Sequence, residues 1–238
     1  MKQICKLVVM LLLTFTAGVQ AQLVTYPESL NPGIPHNDDY TVRVRIPGGE
    51  WKDLFEYNVQ VDMDNVQKAS MVQFDMGSVV EVMVKKNNGT VREVAIRPLS
   101  KGIEYKQIQN AILFTLEKPQ YLSIEFNGDR LHNLHLFANP METEKYEKET
   151  KGVMYFGPGT HRPKDLPNNQ IRIPSNTTVY LAPGAVVKAK LVVDKAENVR
   201  IIGRGIIDHA VRGIEITDSK NIWIDGITVA VSYTHLTL

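Results

Sequence analysis

Asn176, Asn198 and Asn221 stand 22 and 23 residues apart, each just ahead of a short apolar stretch: T-T-V-Y-L, V-R-I-I-G and I-W-I-D-G. Gly184, Gly205 and Gly226 follow at intervals of 21 and 21, each opening a second stretch: A-V-V-K-A, I-I-D-H and I-T-V. Two interleaved series with one period are the signature of a stacked array. Each unit holds two β-like stretches and has no room for a helix, and the L-x-x-L-x-L pattern of leucine-rich repeats is missing. About 22 residues per unit is one coil of a parallel β-helix. In that arrangement Val179, Leu181, Val199, Ile201, Ile222 and Ile224 stack inside at equivalent places. Each Asn sits in a tight turn that needs left-handed backbone or side-chain-to-backbone bonding. The competing arrangement is a second antiparallel sandwich whose spacing is accidental.

Upstream the texture is different. Val42, Val44 and Ile46 alternate with Arg43 and Arg45, and Val80, Val82 and Val84 alternate with Glu81 and Met83. This is the two-residue period of half-buried strands. Asn88-Gly89 predicts a tight hairpin between the Val80–Val84 strand and a return strand at Val91–Ile96. Asn127-Gly128 predicts a second hairpin, between Tyr121–Phe126 and Leu131–Phe137. No stretch here carries a 3.6-residue period, so a β-sandwich is expected. Residues 141–152 crowd Glu and Lys together and read as a solvated connection with at most one helical turn, or as the charged face of a helix. The fold class expected is therefore all-β: an N-terminal β-sandwich over 22–140, a charged linker over 141–152, and the first coils of a right-handed parallel β-helix over 153–230.

The two ends invite their own expectations. Lys2 and Lys6, the apolar Leu7–Phe15 and the Val19-Gln20-Ala21 segment read as a secretory signal cleaved near Ala21, so 1–21 is a leader and the protein is secreted or periplasmic, with a bacterial source favoured. Cys5, the one cysteine, lies in that leader, so disulfides cannot stabilise the mature fold. No other segment is long and apolar enough to span a membrane. The last eight residues, V-S-Y-T-H-L-T-L, break the repeat and equal one translation of a transposon adaptor used to prepare sequencing libraries. Residues 231–238 are accordingly expected to be an artefact, with the gene continuing past Ala230.

The formal charge is +1, or −1 once Lys2 and Lys6 are removed, with no basic stripe of the kind a nucleic-acid binder carries. There is no Cys-His cluster, no G-x-S-x-G and no G-x-x-x-x-G-K-[ST]. His132 and His135, three apart on an expected strand, point to opposite faces and cannot share a metal. Gly203-Arg204-Gly205 lacks the third glycine and the following helix of a dinucleotide site. No metal and no cofactor is expected. Asp208 and His209, after the G-R-G turn, are candidates for substrate contact, although a turn-stabilising role for Asp208 is favoured. Trp223 faces outward if Ile222 and Ile224 face inward, and is a third candidate. Trp51, Tyr155 and Tyr180 are further rings able to stack on sugars or to pack in the core.

Several segments resemble one family. F-E-Y-N-V-Q-V (55–61), V-V-E-V-M-V-K-K-N-N-G-T-V-R-E-V-A-I-R-P-L-S-K-G-I (79–103), Y-L-S-I-E-F-N-G-D (121–129) and L-F-A-N-P (136–140) resemble the N-terminal sandwich of family 49 glycoside hydrolases, the dextranase and isopullulanase group. M-Y-F-G-P-G-T-H (154–161) and I-P-S-N-T-T-V-Y-L-A-P-G-A-V-V-K-A (173–189) are similar to their lead-in to the β-helix. G-R-G-I-I-D (203–208) is also seen in the related family 28 polygalacturonases. The resemblance implies a polysaccharide substrate, an α-glucan or a galacturonan, and endo-acting hydrolysis with inversion by two carboxyl groups. In those families aspartates on central coils do this work. No such pair is found here, so the catalytic residues are expected downstream of Ala230, and the fragment is expected to be inactive. A non-catalytic carbohydrate-binding β-helix and a polysaccharide lyase remain the alternatives.

Overall fold

The computed structural model describes residues 22–26, 35–61, 66–162, 169–208 and 213–230. The expected leader 1–21, His209 and the expected artefact 231–238 lie outside these residues.

The apolar alternation upstream of residue 140 builds two sheets. One runs β3 (Lys52–Asp53), β2 (Tyr40–Arg45), β6 (Val80–Lys86), β9 (Ala111–Leu116), β8 (Tyr105–Ile108), antiparallel throughout. The other runs β1 (Leu23–Thr25), β5 (Gln67–Met76), β11 (Asp129–Pro140), β10 (Gln120–Phe126), β7 (Val94–Arg97), with β4 (Tyr57–Val61) also on β5. Only β5 and β11 are parallel in that sheet. Val42, Val44, Val82, Val84 and Ile112 from one sheet meet Val72, Phe74, Ile124 and Leu136 from the other, all shut off from solvent. Each such side chain contributes about 1.5–3 kcal/mol by burial.

The two Asn-Gly pairs behave differently. Asn127 and Gly128 both take positive φ, 57° and 75°, and close the β10–β11 hairpin as expected. Of Asn88-Gly89 only Gly89 has positive φ, and no hairpin forms. The chain instead crosses to the other sheet, where β7 pairs with β10. Side chains hold this crossing: Asn110 accepts from Val91 N and donates to Gly89 O, while Asn127 Oδ1 accepts from Arg92 N. The expected return strand at Val91–Ile96 is thus β7, in the opposite layer.

From Val153 the chain winds in coils of three strands each. They stack into three parallel sheets: β12 (Val153–Phe156), β15 (Thr178–Leu181), β18 (Glu197–Gly203), β21 (Lys220–Asp225); β13 (Gly159–His161), β16 (Ala185–Val187), β19 (Ile206–Asp208), β22 (Thr228–Ala230); and β14 (Gln170–Arg172), β17 (Lys190–Asp194), β20 (Ile214–Thr217). This is a right-handed parallel β-helix with three full coils and two strands of a fourth. Two stretches per unit was an undercount. Only Lys188 and Ala189 separate β16 from β17, so A-V-V-K-A-K-L-V-V-D reads in sequence as one strand.

Stacking in register makes inward columns. Met154, Val179, Ile201 and Ile224 form one, and Ile171, Leu191 and Ile214 another. Val179, Leu181, Val199 and Ile201 are fully buried; Ile222 is partly buried, and Ile224, on the last described coil, is 42% exposed. Asn176, Asn198 and Asn221 take φ of 59°, 57° and 55°, and their amides form a ladder: Asn198 donates to Asn176 at 3.0 Å and Asn221 to Asn198 at 2.6 Å. Gly203 (φ 128°) passes so close to the coil before it that an added Cβ would lie 2.0 Å from Leu181 O. That carbonyl accepts from both Arg204 N and Gly205 N, at 2.8 and 3.0 Å.

Among the described residues no helix is long and apolar enough to cross a membrane. The charged 141–152 segment is neither helical nor a free connection. Glu144 forms a fork with Arg200 (2.6 and 2.8 Å), and Glu142 accepts from the Tyr180 hydroxyl at 3.0 Å, so the segment straps the outer face of the first β-helix sheet.

Replacing Asn198 tests the ladder. Asn198→Ala loses a residue tolerant of left-handed backbone and both ladder hydrogen bonds, and should cost about 3 kcal/mol; Asn198→Gly loses only the two bonds, about 2 kcal/mol. Urea midpoints at constant slope measure both. Equal costs for the two would remove the backbone role.

Candidate functional site

The site grows from how the two bodies join. Strand β5 is buried on both sides. Val72, Phe74 and Met76 enter the sandwich core, while Met71, Gln73 and Asp75 face the β-helix. Arg204, 5% exposed, reaches across. Its Nε donates to Asp75 Oδ1 (2.7 Å), Nη2 to Pro140 O (2.7 Å) and Nη1 to Gly203 O (2.9 Å). Gln73 Nε2 donates to the Arg204 carbonyl at 3.1 Å. Burial works against the guanidinium charge, but the Asp75 carboxylate outweighs it and Arg204 is held more firmly protonated than usual. Burial, and then the charge of Asp75, push the Tyr26 hydroxyl above its ordinary range. Nothing in the sequence marked Arg204 for this. Its glycine neighbours suggested only a turn.

The outer face of the first β-helix sheet follows from the same register. Thr178, Arg200 and Trp223 form one outward column; Tyr180, Ile202 and Asp225 form the next. Trp223 is 60% exposed. It lines a hollow of about 290 Å³ together with Glu142, Glu144, Arg200 and Asp225. The Arg200 guanidinium, with help from the Tyr146 hydroxyl, draws the Glu144 carboxyl down to about 2. Burial holds Glu142 above the ordinary carboxylate range, against the hydrogen bond from Tyr180.

Asp225 also lines a second cleft, of about 350 Å³, between the fourth coil and the sandwich. Its other walls are Tyr121, Phe137 and Asn139 of the sandwich and the inward Ile224 with Ile227, Thr228 and Val229 of the last described coil, the face on which a further coil would stack. Tyr121 is 57% exposed and meets Phe137 edge-on at 5.6 Å. Both rings border a third hollow of about 580 Å³ on the sandwich, with Arg97, Leu99 and His135. Tyr121 was legible: Y-L-S-I-E-F buries Leu122 and Ile124, so the alternation turns Tyr121 outward.

The sequence candidates do not converge. Trp223 is on the first β-helix sheet and Asp208 on the second. Asp208 ends strand β19 rather than occupying a turn, and its carboxylate meets Lys188 Nζ at 3.0 Å. It borders a small hollow of about 90 Å³ with Tyr57 and Gln60. His209 lies outside the described residues. Tyr180 is 2% exposed and packed between Tyr146 and Tyr155, and Trp51 sits under the Arg45 guanidinium at 4.3 Å, so neither is an open sugar platform. His161 is bound to Gly157 O at 2.7 Å. Among the described residues no group of three or more His, Cys, Asp or Glu is placed to hold a metal ion.

No protein-family profile matches this chain, and no curated protein does. Among solved structures, Dex49A from Penicillium minioluteum is similar, with a TM-score of 0.57 at 17% identity. The match covers 83% of this chain and 54% of Dex49A, so the chain spans about half the length of that structure. At this identity the likeness shows the fold.

Arg204→Met leaves Asp75 buried without its cation and should cost about 3–5 kcal/mol, whereas Arg204→Met combined with Asp75→Leu should recover much of that loss. Chemical unfolding of the two variants checks this. A single variant as mild as the double would show that the pair does not join the bodies.

Proposed function

We propose that this chain is the N-terminal part of a secreted, endo-acting polysaccharide hydrolase that inverts configuration, and that its two catalytic carboxyl groups stand on coils following residue 230. The observation that carries this reading is the fold: a sandwich joined to a β-helix, like that of Dex49A, a family 49 dextranase. The 1–21 leader supports secretion.

The described coils support placing the catalytic groups further on. Inversion needs two carboxyl groups roughly 6.5–9.5 Å apart across the scissile bond, one to protonate the leaving oxygen and one to activate water. Asp208 is paired with Lys188, Glu215 with Lys190, Glu197 with Lys220, and Asp194 with Arg172 and the Thr217 hydroxyl. Asp225 makes no ion pair among the described residues; Glu142, which lines the same hollow, makes none either, but it is held by the Tyr180 hydroxyl on the strap over the first sheet rather than on a coil strand. Further coils stacked on β21 would extend the Thr178–Arg200–Trp223 face and cover Ile224.

The test is an assay of the full-length gene product on dextran, pullulan and polygalacturonate. New reducing ends should appear, with the first-formed anomer opposite to that of the cleaved bond by proton NMR, while the 238-residue chain alone releases none. Unsaturated products absorbing in the ultraviolet would replace this reading with a lyase. Glycan retention without cleavage would replace it with a binding protein.

A further inference from the structure

The β-helix and the sandwich advance side by side. On the sandwich, β4, β5, β11, β10 and β7 lie in that order across one sheet. The second coil borders β4, where Val186 shares a small hollow with Tyr57 and Gln60. The third coil meets β5: Ile206 packs in one cluster with Met71, and Arg204 binds Asp75. The fourth reaches β11, where Ala230 packs in the same cluster as Phe137. Neighbouring strands in either body lie about 4.8 Å apart, so the match of one coil to one strand does not drift. We infer that the outer face of β10 and β7, around Tyr121 and Leu99, is the docking surface for the next two coils, those that follow residue 230 in the full-length product. This rests on the reading above, that the chain continues in further coils, and it gives the sandwich a role as the template on which they settle.

The face continues the existing interface without a break. Strand register runs from Gln73, which binds the Arg204 carbonyl, through Phe137 to Tyr121, and from Met71 through His135 and Ser123 to Arg97. A coil covers the start of each row and leaves its end open. Tyr121 is 57% exposed, and Leu99, just past the end of β7, is 64% exposed. Both border the hollow of about 580 Å³ on the sandwich. Two large apolar side chains standing together on one open face gain by being covered.

Asn139 supplies an independent sign of the occupant. It is paired with Asp75 in the sheet, is 4% exposed, and its side-chain nitrogen has no hydrogen-bond partner among the described residues. A buried donor left unmet is costly. Asn139 borders the cleft above Ile227 and Thr228, so a fifth coil stacked there brings an acceptor to it, as the third coil brings Arg204 to Asp75. Charge agrees. Arg97 is matched by Glu125 at 2.8 Å, and burial lowers the His135 pKa and keeps its ring neutral, so the face calls for an apolar occupant. The side that the second β-helix sheet turns toward the sandwich is apolar in this way, at Val186 and Ile206.

Hydroxyl-radical footprinting of the full-length product beside the 238-residue chain tests the surface, with side-chain oxidation read by mass spectrometry. Tyr121 and Leu99 should be oxidised severalfold more slowly in the full-length product. Ile108, 49% exposed on β8 of the other sheet, should react at the same rate in both. Tyr121→Asp should lower the melting temperature of the full-length product by several degrees and leave that of the 238-residue chain unchanged, while Ile108→Asp should alter neither. Equal oxidation of Tyr121 and Leu99 in the two proteins overturns the docking surface. Protection already present in the 238-residue chain and lost on dilution assigns the face to a second copy and overturns it as well. Oxidation is read without substrate, so a full-length product that cleaves a polysaccharide with Tyr121 exposed sinks this inference alone, and an inactive product with Tyr121 protected sinks only the hydrolase reading.

Discussion

Each coil of the β-helix is tied to the next by backbone hydrogen bonds in one fixed register, and the inner core, the outer face and the contact with the sandwich all depend on that register. In a parallel sheet a slip of one residue would turn every side chain to the opposite face. Holding the register aligns Val179 over Met154 and Ile201 over Val179, which makes the core. It also aligns Arg200 with Trp223 and Ile202 with Asp225, which makes the outer face. Two devices fix it. The asparagines take the left-handed backbone that closes each coil and bond to one another along the stack. Gly203 and Gly205 allow the third coil to pass against Leu181 closely enough for one carbonyl to accept two N–H groups.

That close passage has a second consequence. Arg204, between the two glycines, is directed out of the coil and into the sandwich, where Asp75 and Pro140 O receive it. The sandwich prepares the meeting by burying β5 on both faces. The buried pair is not in itself a large source of stability, because desolvation offsets the attraction. Its effect is positional: the bonds from Arg204 to Asp75 and Pro140 O, with that from Gln73 to the Arg204 carbonyl, fix one orientation of the two bodies.

Much of this was legible in the sequence, for identifiable reasons. The period of about 22, the inward aliphatic set and the αL asparagines all follow from short-range patterns repeated three times. Asn127-Gly128 closed its hairpin because both residues take positive φ. Asn88-Gly89 carries the same local signal, but Asn110 and Asn127, distant in sequence, bind the segment after it and lead the chain to the other sheet. The third strand of each coil was hidden because a two-residue bend does not interrupt an apolar run. The 141–152 segment looked solvated because Arg200 and Tyr180, which hold it, are contributed by later coils. The candidate site was the least readable part. Asp208 and Trp223 are near in sequence yet on different sheets, and Tyr121 and Asp225 are a hundred residues apart yet share a cleft. Pattern within a strand says which way a ring points, and only tertiary packing says what it points toward.

The stacking itself can be tested by covalent capture. Asp194 and Thr217 are exposed and directly paired in the third β-helix sheet. Neighbouring strands lie about 4.8 Å apart, within the reach of a disulfide, and Cys5 falls in the expected leader. A chain carrying Asp194→Cys and Thr217→Cys should form an intramolecular disulfide on mild oxidation, seen by mass spectrometry of the proteolysed product. The offset pair Asp194→Cys and Glu215→Cys should remain reduced. Failure of the first pair together with capture of the second would mean that the coils are not stacked in this register.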